Sequence, residues 1–358
     1  MKVVFFTNAS ENIAAVRYRV IRFAEMLRER EGWTCVVCTP SPLSTWQRWY
    51  EDRPRWSKLV YLLYVLLRRL AQMRHVPGAD AVYFRGPLYP YGPPLLERLA
   101  RLLNRRLVFD IDDAVWVRPA YVRSRFLRLV DHDWLWKMCR MSVHGVVGNT
   151  YLRDQVAPHH SALTVVPTPV DMARHTPKSY ADAPAGPVLL GWTGLYSNLG
   201  YFEVIDSVLQ RLAREHDIAL LVATGRPYTL DGVRVINERW ELAHEIRYLQ
   251  QPDIGLMPLV DSERARGKCA YKAMQYMAVG TPCVVSPVGM NADVIEDGVT
   301  GFLAGTPDEW HDKLTRLIVD PALRAPMGHA ARAHMQARYS HEALYPALKA
   351  ALEAAARA

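Results

Sequence analysis

The sequence predicts an α/β protein made of two successive β/α series, and three observations carry that prediction. Short apolar runs of strand character alternate with longer helical stretches from residue 2 to residue 166 and again from residue 188 onward. A stretch rich in Pro, Ala, Ser and Lys, residues 172–187, separates the series. The run Asp261–Leu303, DSERARGKCAYKAMQYMAVGTPCVVSPVGMNADVIEDGVTGFL, then sets a cation-rich helix start and a proline-led turn at the carboxyl edge of the second series, where open α/β sheets bind ligands.

Composition agrees with a globular chain of two ordinary domains: 358 residues, 50% hydrophobic and 22% charged. Five cysteines are too few and too scattered for a disulfide framework, and the N-terminus has no signal-peptide pattern, so a cytoplasmic setting is expected. Cys35 and Cys38 form a CxxC inside an apparent strand, without the helix a redox motif needs, and read as core. Charge is uneven. Residues 1–170 hold 25 Lys and Arg against 14 Asp and Glu, a balance of +11, whereas residues 171–358 come to −3. A basic first half attracts nucleic acid or an anionic membrane surface.

In the first series, strands are expected over Lys2–Thr7, Trp33–Thr39, Ala79–Arg85, Leu107–Asp110, Val143–Val147 and Leu163–Val166. Helices are expected over Asn12–Glu31, ended by Gly32, and over Trp56–His75, Pro93–Asn104 and Arg123–Met141. Within Trp56–His75 the apolar run Leu59–Leu67 is nine residues, far short of the ~20 that span a bilayer. Two readings stay open for it: a core helix, or an interfacial one. In the second reading Trp49, Trp56, Tyr61 and Tyr64 sit at headgroup level, and Arg53, Arg55, Lys58, Arg68 and Arg69 meet anionic lipid. The run Asp110-Ile111-Asp112-Asp113 after a strand also has two readings, a divalent-metal site or carboxylates that orient a hydroxyl or pair with nearby arginines.

The second series runs through strand Val188–Trp192, the turn Gly191–Gly194, helix Tyr201–Glu215, strand Ile218–Ala223 with the turn Thr224-Gly225-Arg226, strand Val233–Ile236, helix Glu241–Gln251 and strand Ile254–Leu259. A helix is expected over Ala270–Val279. Arg264, Arg266, Lys268 and Lys272 crowd its start, where the helix dipole favours anions, so the combination fits a phosphate or diphosphate. Lys268, Lys272 or Tyr271, and Gln275 share one side of it, while Ala273, Met274, Met277 and Ala278 form the packing side. Gly280 ends that helix, Cys283–Ser286 is a strand, and helices Pro307–Val319, Pro321–Arg338 and His341–Ala356 follow, the last with Ser340 as N-cap.

The motifs Gly267-Lys268-Cys269, Tyr271-Lys272, Gln275-Tyr276-Met277-Ala278, Gly280-Thr281-Pro282, Ser286-Pro287-Val288-Gly289 and Asp297–Phe302 resemble the nucleotide-sugar motif of retaining glycosyltransferases with the GT-B fold, family 4 in particular. That resemblance implies two Rossmann-like domains facing each other across a cleft: an acceptor domain, 1–171; a linker, 172–187; a donor domain, 188–338; and a C-terminal helix, 339–358, crossing back. It further implies a nucleotide diphosphate sugar as co-substrate without a metal or other cofactor. The glycan, lipid-linked or small-molecule acceptor would sit on a protein that is peripheral to a membrane at most and binds no nucleic acid. Lys268, Arg266 and Asp112 would carry catalysis. The donor would contact Gly194, Arg226, Trp240, Gly267, Cys269, Ala270, Tyr271, Lys272 and Gln275, and the acceptor Ser10, Asn12, Arg17, Arg85 and Asp110. Two departures from the family pattern stand out. Its two glutamates fall here on Gly267 and Gln275, and its arginine and lysine are missing from the Gly194 loop. Ser/His/Asp nucleophile sets, zinc spacings, a Walker loop and a GxGxxG fingerprint are absent, which argues against hydrolase, metalloenzyme, ATPase and dehydrogenase. A non-catalytic subunit of the same fold and a nucleotide-sugar epimerase remain as alternatives.

Overall fold

The computed structural model describes residues 1–11, 13–49, 54–117, 129–180 and 186–358. Asn12, Arg53 and the start of the helix expected from Arg123 lie outside the described residues, and Arg55 is described by its backbone alone. Two compact units divide the chain, one of Met1–Pro169 with Leu344–Ala358, the other of Val170–Ala343.

The first unit holds a six-stranded sheet of β1 (Lys2–Thr7), β2 (Thr34–Cys38), β3 (Ala81–Arg85), β4 (Leu107–Ile111), β5 (His144–Val147) and β6 (Leu163–Val165). The strands lie in the order β2-β1-β3-β4-β5-β6, and every pair is parallel. Continuous apolar strands such as VVFF in β1 are buried on both faces, as a sheet covered by helices on both sides requires. On one face Val4, Phe6, Phe84 and Phe109 pack with Trp134 and Leu135; on the other Val3 and Phe5 pack with Phe23, Leu27 and, from the last helix, Leu348 and Leu352.

Local departures from the expected elements have local causes. The first helix is not uniform: Ala14–Val16 is α-helical, Arg17–Ile21 forms a π turn, and Arg22–Glu31 is α-helical again up to Gly32 at φ +65°. The π turn carries Tyr18, Arg19 and Val20 inward. The helix Arg55–Gln72 ends in a 3-10 turn, Met73–His75.

The second sheet comprises β7 (Val188–Thr193), β8 (Ile218–Thr224), β9 (Val235–Arg239), β10 (Ile254–Met257), β11 (Cys283–Val285) and β12 (Phe302–Leu303), ordered β12-β11-β10-β7-β8-β9 and again parallel throughout. The helix expected over Tyr201–Glu215 is α-helical only from Asp206; Tyr196–Val204 winds as 3-10 turns, consistent with Asn198 and Gly200 being poor α-helix formers. The described part of the stretch expected as a linker, and Val170 just before it, is hydrogen-bonded to the second unit. Val170 N–H donates to Tyr339 O (2.9 Å), Lys178 N–H donates to Val279 O (2.7 Å) and the Tyr180 hydroxyl donates to Arg324 O (3.1 Å).

Candidate active site

In the second sheet the strand order reverses between β7 and β10, which are neighbours although the chain leaves them in opposite directions. At such a switch point the loops after the two strands part and leave a crevice. Here the loop after β7 carries Gly194, and the loop after β10 carries the segment that leads into the nine-residue helix Tyr271–Val279.

That segment is rigidly built. Ser262 caps a short helix, Glu263–Arg266, by accepting from Ala265 N–H (3.2 Å). Gly289, at φ +54°, lies so close to Arg266 that a Cβ would sit 2.6 Å from the Arg266 carbonyl oxygen, so the Ser286–Gly289 turn can rest there only with glycine. Ser286 Oγ accepts from Leu259 N–H (2.9 Å), and Asn291 donates to Ser286 O (2.9 Å), which ties the ends of β10 and β11 together. Ala270, the residue before the helix, has φ +50°, the one non-glycine in the left-handed region among the described residues. A side chain there costs about 1 kcal/mol and is kept where the surroundings enforce the geometry.

The cations divide by their partners. Arg266 is half exposed and makes a two-pronged ion pair with Asp261 (2.6 and 2.7 Å), whose carboxyl it holds below the usual range. Arg226 lies over the Tyr196 ring at 4.3 Å, joining the loops after β7 and β8. Lys268 approaches the Tyr201 ring (5.8 Å). Lys272 points into the crevice, with Nζ 4.0 Å from the Trp192 ring centroid and a Cβ on Gly194 falling 3.2 Å from that same Nζ. No carboxylate among the described residues pairs with it. Burial first, and then the Lys268 charge, push the Lys272 pKa well below the ordinary lysine value. An anion bound beside the two ammonium groups would raise it again by favouring the charged form.

The rest of the expected donor side is mixed. Gly267, Cys269 and Ala270 are buried in the turn, and Tyr271 is half-buried beside them. Gln275 does not open to solvent: it is buried, and its amide donates to Glu245 Oε1 at 3.3 Å. Glu245 is itself buried, with Oε2 3.2 Å from Arg174. Trp240 is half-buried, its N–H donating to Thr224 O (3.2 Å). Sequence reasoning missed Glu245, although its spacing to Tyr248 and Leu249 places it on the inner face of its helix.

The first unit has its own switch point, between β1 and β3. A cavity of about 360 Å³ opens there, lined by Asn8, Ser10, Pro87, Leu88, Trp46 and Tyr61 among others. Ser10 Oγ donates to Ser41 O (2.7 Å), and Ser41 Oγ meets the Tyr61 hydroxyl (2.8 Å). Arg17 reaches Glu11 O (3.1 Å) on the surface side. Asp110 is fully buried, which removes it from contact with an acceptor. It pairs with Arg19, whose Nε donates to it at 3.1 Å, and lies 3.5 Å from Arg85 Nε. Arg85 also pairs with Asp112. Burial opposes the charge on Asp112, but Arg85 and Arg19 outweigh it and hold the carboxyl below the usual range. Asp112 alone of the two carboxylates keeps some exposure. Arg19, which the sequence places beside Arg17 as an acceptor contact or part of a solvated helix face, is neither: it lies buried in line with Val16, Val20 and Phe23 and is held by Asp110.

Two doubly wound parallel sheets, one with a cation-lined switch point, define the class of GT-B proteins. Residues 187–320 match the family model described as Glycosyl transferases group 1. The chain is 30% identical over 203 residues to a D-inositol 3-phosphate glycosyltransferase of Saccharomonospora viridis, covering 49% of this chain and 46% of that protein. It is 26% identical over 209 residues to a GDP-mannose-dependent monoacylated alpha-(1-6)-phosphatidylinositol monomannoside mannosyltransferase of Corynebacterium glutamicum, covering 51% and 54%. The matches thus span about half the length of these curated relatives. Among solved structures, Anabaena Alr3699/HepE in complex with UDP-glucose superposes with TM-score 0.69 at 14% identity, over 99% of both chains. Sucrose-phosphate synthase of Thermosynechococcus elongatus gives 0.66 at 14%, over 98% of both.

Proposed function

We propose that the protein is a retaining glycosyltransferase that moves a sugar from a nucleotide diphosphate sugar to an acceptor hydroxyl in polysaccharide or glycolipid assembly, on the cytoplasmic side of a membrane. The observation that carries this reading is Lys272: a half-buried lysine against Trp192 and beside a second lysine, at a helix start and a sheet switch point, with no carboxylate partner among the described residues. A diphosphate is the ligand whose charge matches. The glycosyltransferase relatives and the UDP-glucose complex of a protein with the same fold support the nucleotide sugar.

As the bond between the anomeric carbon and the β-phosphate oxygen breaks, charge concentrates on that phosphate. Lys268, Lys272 and the first N–H groups of the helix Tyr271–Val279 stabilise it there, before solvent can reorganise. The acceptor oxygen attacks the anomeric carbon from the face the phosphate leaves, and its proton passes to the departing phosphate, so no protein nucleophile and no metal is needed. Glu245, held in place by the Gln275 amide, takes the ribose diol; Gly267, lacking a side chain, leaves the sugar's recognition to backbone groups. The apolar cavity at Asn8–Ser10 takes the acceptor.

Turnover of UDP-, GDP-, ADP- and dTDP-sugars, with and without glycan and lipid-linked acceptors and with EDTA, tests the reading. Acceptor-dependent product that survives EDTA is expected. Epimerised donor, or binding without turnover, would overturn it in favour of an epimerase or a non-catalytic subunit.

A further inference from the structure

The helix Arg55–Gln72 shows two different apolar faces. Its inner face, Tyr61 and Val65, is buried and lines the cavity at the first unit's switch point, and Arg69 on that side donates to Cys38 O (2.9 Å) and Leu88 O (3.1 Å). Its outer face recurs at i, i+3, i+4, i+7: Trp56 (63% exposed), Leu59 (66%), Val60, Leu63 (56%), Leu67 (58%) and Leu70. A stripe of that length, turned to solvent along four turns, is more than the scattered exposed leucines of an ordinary surface. It continues sideways. Leu70 and the exposed Leu95 line one apolar cavity of about 450 Å³ together with Tyr91, Pro93, Leu99 and Trp134.

Charge says what covers this face. The helix carries Arg55, Lys58, Arg68 and Arg69 and no acidic residue. At its N-terminal end a shallow cavity is lined by Arg48, Trp49, Pro54, Trp56 and Ser57, with the Arg48 guanidinium 5.8 Å from the Trp49 ring centroid. Tryptophans and cations at the ends of an apolar stripe suit the headgroup level of an anionic bilayer, whose hydrocarbon takes the leucines. No helix of the described residues is long and apolar enough to cross a membrane. We infer that the outer face of Arg55–Gln72 lies in the boundary between headgroups and acyl chains of an anionic bilayer, so that one helix borders the acceptor cavity inside and the lipid outside. This deepens the acceptor side of the proposed function and rests on the first unit alone. The membrane cations differ from those expected of the sequence: Arg69 is fully buried, Arg68 is tied to Thr39 O (3.2 Å) and Tyr61 faces the core, which leaves Lys58 and Arg48 at the interface.

Co-sedimentation with phosphatidylcholine vesicles containing about a third phosphatidylglycerol tests it, because an interfacial helix binds by apolar area and anionic attraction together. The protein should pellet with these vesicles and not with pure phosphatidylcholine, and Leu63→Asp with Leu67→Asp should lower partitioning at least ~10-fold. Both positions are exposed, so the thermal transition and the stabilisation by donor nucleotide should survive in that variant. Should it fail to fold, quenching of Trp56 by brominated acyl chains, lost in Trp56→Phe, decides in the wild-type background. A protein that stays in the supernatant with anionic vesicles at low salt overturns the inference. So does a double variant that binds as well as wild type, or a wild-type dimer that the double variant splits while vesicle binding is absent. Since the vesicle assay needs no donor, its failure leaves the transferase reading standing, and loss of turnover leaves this one.

Discussion

The two switch points of the molecule handle buried charge in opposite ways. In the first unit the buried cations are answered from within: Arg19 by Asp110, Arg85 by Asp112 and Asp110, Arg69 by the carbonyls of Cys38 and Leu88. In the second, Lys272 lies half-buried against Trp192 beside Lys268 and has no carboxylate partner among the described residues. Charge compensated inside a protein fixes a structure, whereas charge left uncompensated is the reserve that binds a ligand. The difference teaches that of the readings DIDD leaves open, pairing with arginines is the one that Asp110 takes, held by Arg19 and Arg85 at the ends of β3 and β4, while Asp112 keeps some exposure.

The comparison can be broken most readily at its buried pair. Asp110→Asn leaves Arg19 buried without its counter-ion and should cost about 3–5 kcal/mol in chemical denaturation; a loss below ~1 kcal/mol would show that the pair is not what fixes that edge. Next in size, Lys272→Ala should lower turnover about 10²-fold with an unchanged thermal transition, because the interaction grows in the transition state. Normal kcat with raised donor KM would move Lys272 to simple ground-state binding. Glu245→Gln should raise donor KM about 10-fold with little change in kcat, as expected of a diol contact equal in both states; an effect on kcat alone would sever it from the ribose. The smallest effect sharpens the sign of the argument. Lys272 has a depressed pKa without ligand, and a diphosphate raises it, so donor affinity is full below the free-protein value and falls as pH rises through it, by at most one proton. Calorimetry in buffers of different ionisation enthalpy should show proton uptake on binding that Lys272→Met abolishes.

How far this was legible in the sequence follows from the range of each interaction. The alternation of strands and helices, both sheets and the helix Tyr271–Val279 could be read because they rest on local periodicity and on turn residues such as Gly280. Lys268 before that helix and Lys272 in its first turn stand out in the sequence, since a cation at a helix start conflicts with the dipole and calls for an anion. Arg19 with Asp110 could not, because the partners are 91 residues apart and only the sheet brings them together. Gln275 was expected to face a ligand, yet Glu245, 30 residues earlier, takes its amide. For the helix Arg55–Gln72 periodicity supported a core helix and an interfacial one alike, because it is apolar on nearly every side; the packing of Tyr61 and Val65 and the exposure of Leu59, Leu63 and Leu67 make it both-faced.

The last helix sets a schedule for synthesis. Tyr345, Leu348 and Leu352 complete the apolar face formed by Val3, Phe23 and Leu27, so the first unit to leave the ribosome lacks part of its own core until residues 344–358 have followed. The second unit is contiguous from Val170 to Ala343 and can close before that. The half that is made first is therefore finished last. Until then the nascent chain must carry a partly covered sheet face through the making of a whole second domain, which makes that interval the time when a chaperone has most to hold.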